Sequence, residues 1–299
     1  MKKDGRRRGR QKYRCMACGT YFSNLKRENL QWIHSAYEDY TVHKQTYKEL
    51  TEKYGKGSKT LRKHFDKSAG ATGEVFECTE PFVLIMDATF FGRGYGILIA
   101  RNLKKVLYWQ EITSESVHEY EICLNRLDAM GYRFTAFVID GRTGVRQLLM
   151  RKYHGVPIQL CQFHQIQIVK RYIPMRAKTE AAKKLRQIAM RLTKTHEVKF
   201  ERALDIWHAE HGNFLKEKTI VEGTNRWRYT HGRLRSAYKS LRKNLPYLFT
   251  FQKYSNLHIP NTTNHCDGLF AHVKQKILIH RGISKKRRKQ MIDYFLENF

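Results

Sequence analysis

The stretch FVLIMDATFF, residues 82–91, decides how the rest of the chain is read. An apolar run from Phe82 to Met86 leads into Asp87, and the chain then turns apolar again. Such a run, bounded by turn signals, reads as a fully buried strand. A carboxylate at the end of it is costly to bury unless something compensates its charge. Working outward, GYGILIARN and KKVLYWQEIT read as two more strands, joined by the turn-like RNLKK, which makes an antiparallel meander. SESVHEYEICLNRLDAM has helical spacing, with Val117, Tyr120, Leu124 and Leu127 on one face and Ser114 or Ser116 as cap. RFTAFVIDG is a fourth strand, ending in Asp140 and Gly141. TGVRQLLMRKYHG is a helix, and VPIQLCQFH is a fifth strand running into another helix. The order β-β-β-α-β-α-β-α predicts an α/β domain, a mixed sheet with helices on both faces.

Before this domain the texture differs. Residues 1–27 form a basic arm containing YRCMACGTYFS, in which Cys15-x-x-Cys18 followed by Gly19 resembles one knuckle of a zinc ribbon. A structural Zn²⁺ site takes four ligands, and no Cys or His precedes Cys15 here. Cys15 and Cys18 are therefore a partial Zn²⁺ site that is half lost, completed by another chain or cut off by the start of the sequence, or else part of a metal-free arm. Residues 28–67 read as helical, with Leu30, Ile33, Tyr37 and Tyr40 at helical spacing. A short helix from Tyr47 to Tyr54 meets the turn GKGS, and a second, basic helix follows with Ser58 as N-cap. This fits a helix-turn-helix whose Lys59, Arg62, Lys63 and His64 face DNA; a small helical bundle with a solvated charged face is the alternative. Residues 68–80 read as a linker. Residues 165–240 are almost wholly helical in pattern and strongly basic, an all-α insertion placed at about 175–255 within a domain spanning 81–299.

The formal net charge is +30, from 57 Lys and Arg against 27 Asp and Glu. Such a balance calls for a polyanionic partner: nucleic acid first, an anionic membrane surface second. The opening residues are too polar for a signal peptide, and no run approaches a membrane span, so a cytoplasmic, nucleoid-associated protein with reduced thiols is expected. Cys78, Cys123 and Cys266 have no partner at metal-ligand spacing and read as small apolar residues.

Asp87 and Asp140 end strands that this order can place side by side. Two close carboxylates repel unless a cation neutralises them, and for a protein that handles phosphates the natural cation is Mg²⁺, with Mn²⁺ as substitute. A third carboxylate would complete a site that holds two metals and cuts and joins phosphodiesters. Asp267 in NTTNHCDGLFAHVK is the choice, at the start of a helix; Glu222 in VEGTNRW is its rival. The plainer reading makes each Asp a turn former or helix cap.

These residues resemble the DDE-type transposases of bacterial insertion sequences, and among them the Mutator-like group, over nearly the whole chain. FVLIMDATFFG is similar to the segment carrying the family's first acidic residue, FVIDGRTGV to the second, and Cys161-Gln-Phe-His164 to the C-x-x-H element of that group. PNTTNHCDGLFAHVKQKILIHRGIS is similar to the stretch bearing the last acidic residue, with Asp267 standing where the family usually has Glu. The shorter side chain changes the reach to a metal by about 1.5 Å. The resemblance implies an RNase H-like core with a helical insertion, catalysis by Asp87, Asp140 and Asp267 with Mg²⁺, and double-stranded DNA as partner, both terminal inverted repeats and target. A homodimer or higher oligomer is expected because two ends must be synapsed.

His164 is assigned a hydrogen bond to substrate phosphate, beside the alternative that it and Cys161 simply pack at a strand end. Arg233, Arg235 and Lys274 are assigned to DNA contact. Arg228, Arg235 and Arg242 share helical spacing, and Trp207 and Trp227 are read as core or as base-stacking residues. The run KKRRK, residues 285–289, adds backbone affinity. Three functions remain open: a transposase, an inactive transposase-derived DNA-binding protein, and a structure-specific nuclease.

Overall fold

The structure is a computed structural model that describes residues 1–7, 10–23, 31–67, 80–280 and 282–297. Leu30, Cys78 and the linker at 68–79 lie outside these residues. The chain divides into two compact units, Met1–Ala69 and Gly70–Phe299.

The first unit begins with β1 (Lys2–Arg7), β2 (Arg10–Arg14) and β3 (Tyr21–Ser23), an antiparallel sheet where the sequence suggested only a basic arm. β1 and β2 are rich in Lys and Arg and β3 is only three residues long, so they lack the apolar alternation by which strands are recognised; aromatic and cation–π contacts appear instead, Tyr13 on Phe22 at 5.7 Å and Lys12 over Tyr21 at 3.8 Å. Three short helices follow: α1 (Gln31–Thr41), α2 (Tyr47–Tyr54) and α3 (Ser58–Phe65). Thr46 and Glu49 form a reciprocal capping box at the start of α2, and Gly55 ends it at φ 60°. The residue before α3 is Gly57 with no side-chain cap, so Ser58 is the first helical residue rather than the cap. Tyr37, Tyr40, Leu50, Leu61 and Phe65 form the small core. Asp39, buried beneath it, accepts from Lys53 Nζ at 2.6 Å and Tyr54 Oη at 2.7 Å.

The second unit is built on β4 (Phe82–Phe90), β5 (Gly96–Arg101), β6 (Val106–Ile112), α4 (Val117–Ala129), β7 (Phe134–Ile139), α5 (Thr143–Lys152), β8 (Ile158–Leu160) and α6 (Gln162–Tyr172). The five-stranded sheet has the order β6-β5-β4-β7-β8; β4, β5 and β6 are antiparallel neighbours, while β4–β7 and β7–β8 are parallel. This mixed sheet flanked by helices is of the kind the β-β-β-α-β-α-β-α order implies, and its strand order is consistent with an RNase H-like arrangement. After α6 come α7 (Glu180–Met190), α8 (Glu197–His211), β9 (Lys218–Ile220), β10 (Trp227–Tyr229), α9 (Gly232–Leu248), α10 (Thr250–Lys253), α11 (Asn264–Ile279) and α12 (Lys285–Glu297).

Strand periodicity sorts the core into two layers. Leu84, Met86, Leu98, Phe137 and Ile139 pack with Tyr120 of α4, Leu148 of α5, Ile166 of α6 and Leu241 of α9. Val83, Ile85, Ile97, Ile99 and Val138 face the other way, onto Cys266 and Leu269 of α11 and Ile292 and Phe295 of α12. On α4 it is Cys123, not Val117, that joins Tyr120, Leu124 and Leu127 in the interior, and Ser116 is the cap.

Between α6 and α9 the chain is not wholly helical: β9 and β10 pair as an antiparallel hairpin, with Gly223 at φ 73° in the connection. Thr219 and Ile220 favour strand, but frequent charges hide the alternation. Trp207 is core, its Nε1 donating to the Ala181 carbonyl at 2.9 Å, whereas Trp227 is 52% exposed. Arg233 Nε donates to the carbonyl of Tyr172 at 3.1 Å and Nη2 to that of Arg171, so the start of α9 is fastened to the end of α6. Arg228 lies on β10, so it does not share a helical face with Arg235 and Arg242.

Candidate active site

Asp87 sits in β4 on the same side as Val83 and Ile85, the side that α11 covers. The β4–β7 pairing runs as far as Ile85 opposite Val138. Two residues further along stand Asp87, inside β4, and Asp140, just past the end of β7, so parallel register places the two carboxylates next to each other. Asp267 lies in the first turn of α11, across from them. His164 enters from the first turn of α6. One ligand atom from each of Asp87, His164 and Asp267 lies within 4.8 Å of the others.

The electrostatics follow from burial. Asp87 is 5% exposed, and removal from water pushes its pKa up to about 7, with the charges of Asp267 and Asp140 adding to the rise. The nearby His164 and the Ala88 amide, which donates to Asp87 Oδ1 at 2.8 Å, oppose it. Burial also raises Asp140, and so does the charge of Glu115. Arg142 works against that rise: its amide donates to Asp140 Oδ1 at 3.0 Å, and its Nε lies 3.6 Å from Oδ2. The same guanidinium is paired with Glu115 Oε2 at 2.6 Å, and Tyr120 Oη donates to Glu115 at 2.7 Å. Glu115 is thus a further carboxylate beside Asp140 that sequence reasoning missed; it lies in a loop, with no pattern to mark it. A hydrogen bond with Cys161 and the charges of Asp87 and Asp140 hold His164 up at about 9. At neutral pH its imidazolium is the cation that faces the buried carboxylates.

The C-x-x-H segment does more than deliver His164. Cys161 Sγ accepts from the Thr263 amide at 3.2 Å and from Thr263 Oγ1 at 3.4 Å, and Thr263 Oγ1 lies 3.4 Å from His164 Nδ1. The Gln162 amide donates to the Asn261 carbonyl at 2.9 Å, and Asn261 Nδ2 donates back to Gln162 Oε1 at 3.0 Å. Gln162 Nε2 holds the Leu248 carbonyl at 2.8 Å. From the sheet, the buried Arg101 donates to the His265 carbonyl at 2.8 Å. The turn that launches α11 is therefore gripped from the start of α6, which is itself tied to the end of α9, and from β5, and this grip sets where Asp267 stands. Sequence reasoning offered Asn261 and Thr263 only as general hydrogen-bonding groups.

Asp267 Oδ2 is buried and receives no hydrogen bond among the described residues. An orphaned carboxylate oxygen beside Asp87 fits a hard divalent cation. Glu222, the rival, is exposed in the β9–β10 connection and outside this cluster.

The other sequence-stated positions lie elsewhere. Lys59, Arg62 and Lys63 are exposed on α3, Arg62 resting 4.8 Å from the Tyr47 ring, while His64 packs edge-on against Trp32 at 5.5 Å. Lys274 is exposed on α11. Arg235 is half-buried 4.0 Å above the Tyr229 ring and donates to the Leu215 carbonyl at 3.4 Å. Arg233 is engaged at the end of α6. Cys15 and Cys18 sit in a tight turn between β2 and β3: the Gly19 amide donates to the Cys15 carbonyl at 3.0 Å and the Cys15 amide to the Thr20 carbonyl at 2.9 Å. Hydrogen bonding with Thr20 lowers the Cys18 thiol to about 7. Among the described residues the grouping of Asp87, His164 and Asp267 gathers metal-ligand atoms, and the two N-terminal cysteines do not join a comparable group. Among the described residues no helix is long and apolar enough to cross a membrane.

No protein-family model matches the chain, and no curated protein matches it. Among solved structures, the Drosophila P element transposase strand transfer complex is similar over 89% of this chain and 78% of that chain, at 13% identity and a TM-score of 0.32. A likeness that weak carries nothing about this chain's fold or function.

Proposed function

We propose that the protein is a DNA transposase that cuts and transfers DNA strands at a metal site formed by Asp87, Asp140 and Asp267. The observation that carries this reading is the buried, unpartnered Oδ2 of Asp267 within 4.8 Å of ligand atoms on Asp87 and His164, in a chain of net charge +30. The carboxylates would hold Mg²⁺ or Mn²⁺. Bound there, a divalent ion supplies Lewis-acid activation of water or a 3′ hydroxyl and charge stabilisation on phosphoryl oxygens. The protein's own groups do the rest. His164, charged at neutral pH, donates a hydrogen bond to a non-bridging phosphate oxygen and holds the phosphodiester in line. Water attack frees a 3′ hydroxyl, which then attacks a target phosphodiester and releases its 3′ oxygen. Lys59, Arg62 and Lys63 grip the duplex backbone as the recognition side of a helix-turn-helix, with Lys274 adding phosphate contact near the cut. Cys15 and Cys18 belong to a basic arm that is either metal-free or half of a Zn²⁺ site completed by another chain. A dimer or larger assembly brings two element ends together.

A second reading, a DNA-binding protein without catalysis, is favoured by Arg142. It pairs Asp140 with Glu115, so one of the three carboxylates is already engaged. The deciding experiment is nicking of supercoiled plasmid by pure protein with Mg²⁺ or Mn²⁺, wild type against Asp267→Ala, repeated on DNA carrying the element ends. Nicking by wild type alone, followed by joined products, supports transposition. Binding without nicking on either DNA supports the second reading. Cutting of branched DNA without joining would make the protein a nuclease.

A further inference from the structure

Arg142 is the N-cap residue of α5, yet its side chain does not cap that helix. It turns instead to the acidic cluster. Nη1 donates to the Glu115 carbonyl at 2.8 Å, Nη2 pairs with Glu115 Oε2 at 2.6 Å, and Nε lies 3.6 Å from Asp140 Oδ2. Glu115 is held in turn from the core, because its Oε1 accepts from the buried Tyr120 at 2.7 Å. Both Glu115 oxygens are therefore engaged, one by the core and one by the guanidinium. Glu115 acts as a post that keeps a cation beside Asp140.

The two ends of this bridge differ in strength. At Glu115 the guanidinium makes two short hydrogen bonds; at Asp140 it makes one ion contact that is too long for a hydrogen bond. The contact with Asp140 can break while the hold on Glu115 persists. The other link to Asp140, from the Arg142 amide to Oδ1 at 3.0 Å, belongs to the backbone and stays whatever side chain stands there. Asp140 is thus oriented by the backbone and neutralised by the side chain. Asp267 differs, since its Oδ2 receives no hydrogen bond among the described residues.

A guanidinium and a divalent cation on one carboxylate repel each other, and the repulsion is strong where burial thins the solvent screen. We propose that Arg142 is a tethered counter-ion that competes with a divalent cation for Asp140 and withdraws to Glu115 when the cation binds. The inference rests on the reading of Asp87, Asp140 and Asp267 as a metal site, and it assigns that site a built-in control on its affinity. The guanidinium relieves repulsion among the carboxylates until the ion arrives, and the ion must displace it.

The test is titration calorimetry with Mn²⁺ on the full chain without DNA, which reads binding and not cleavage. Removing a group that orients a metal ligand lowers metal affinity by about 10–100-fold, whereas removing a competing cation raises it. Arg142→Gln should bind Mn²⁺ at least about fivefold more tightly than wild type, and Arg142→Lys, which keeps the charge, should stay within about twofold of wild type. Lys243 controls for the general field: its Nζ donates to Thr143 Oγ1 at 3.2 Å, next to Arg142, while the ion pairs of Asp140 and Glu115 among the described residues are with Arg142. Lys243→Gln should change the affinity by less than about twofold. Mn²⁺ should also raise the melting temperature of Arg142→Gln by more than it raises that of wild type. Weaker or unchanged Mn²⁺ binding in Arg142→Gln, or an equal gain in Lys243→Gln, would overturn the proposal. Asp267→Ala, run alongside, keeps the two readings apart. If it binds Mn²⁺ as wild type does, or neither binds, the metal site itself fails. If it alone loses binding while Arg142→Gln matches wild type, only the counter-ion role fails.

Discussion

The acidic cluster and the β9–β10 hairpin treat charge in opposite ways. Around Asp87 the chain buries carboxylates in a protein of net charge +30, restrains them by hydrogen bonds, and faces them with a histidine. On the hairpin it leaves cations and a tryptophan in water. Burial makes charge costly and positionally exact; exposure makes it cheap, screened and mobile. The comparison teaches that chemistry here depends on a few constrained groups, while affinity is spread over many loose ones. Mutations should therefore act sharply in the first region and gradually in the second.

The largest effect expected is on cleavage. Asp87→Asn or Asp267→Ala should lower the nicking rate by about 10³-fold or more, since losing several kcal/mol of metal-based stabilisation costs tenfold per 1.36 kcal/mol. DNA affinity, read by filter binding, should change by less than about twofold. A mutant that still nicks at the wild-type rate would break the contrast.

Next comes pH. The folded-state pKa of Asp87 is raised to about 7 from 3.8, so the native state holds more protons than the unfolded chain between those values. Stability of the metal-free protein should then fall as pH rises from about 4 to 7. His164, raised to about 9 from 6.5, contributes stability that is complete below 6.5 and lost as pH rises through 9. Asp87→Asn keeps the Ala88 contact and removes the buried charge. It should be more stable than wild type at pH 8, by about 3 kcal/mol, and close to it at pH 4, as read by urea unfolding in EDTA. Parallel curves for the two proteins would show that Asp87 is not buried as described.

A smaller effect is expected in the turn before α11. Thr263→Val keeps shape and removes the hydroxyl shared with Cys161 and His164. It should reduce Mn²⁺ affinity and nicking by about 10–100-fold, the range for groups that orient ligands, with the melting temperature little altered. Titration calorimetry separates this from general unfolding. The mildest changes belong to α3. Removing Lys59, Arg62 or Lys63 singly should weaken binding uniformly across sequences and lower the slope of log K against log salt by about 0.9 for each lost phosphate contact. A loss confined to one sequence would move that residue from backbone contact to base reading.

The sheet was legible because its strands are either continuous apolar runs or sit between clear turns, and because Asp87 interrupts one of them. The neighbouring position of Asp140 followed from strand order. What the sequence left unread was held together by contacts distant along the chain. Cys161 to Thr263 and Arg101 to His265 are pairings that only folding creates. The N-terminal sheet went unrecognised because β1 and β2 are dominated by Lys and Arg and β3 is only three residues long, and the β9–β10 hairpin because its charges mask alternation. Glu115 lies in a loop where no periodicity applies. Arg233 was read as a phosphate ligand, and a residue type cannot reveal that two of its donors also fasten one helix to another.

That closure has a topological result. With Arg233 bonded to the carbonyls of Arg171 and Tyr172, the chain leaves and re-enters the sheet domain at nearly the same point. The helices between, α7 and α8, pack back into the same core as the sheet through Leu185, Phe200, Leu204 and Trp207. The residues of the β9–β10 hairpin stay out of that core, and its connection can grow or shrink at small entropic cost because the two strands are already paired. A change of length there leaves the helices that pack on the sheet where they are.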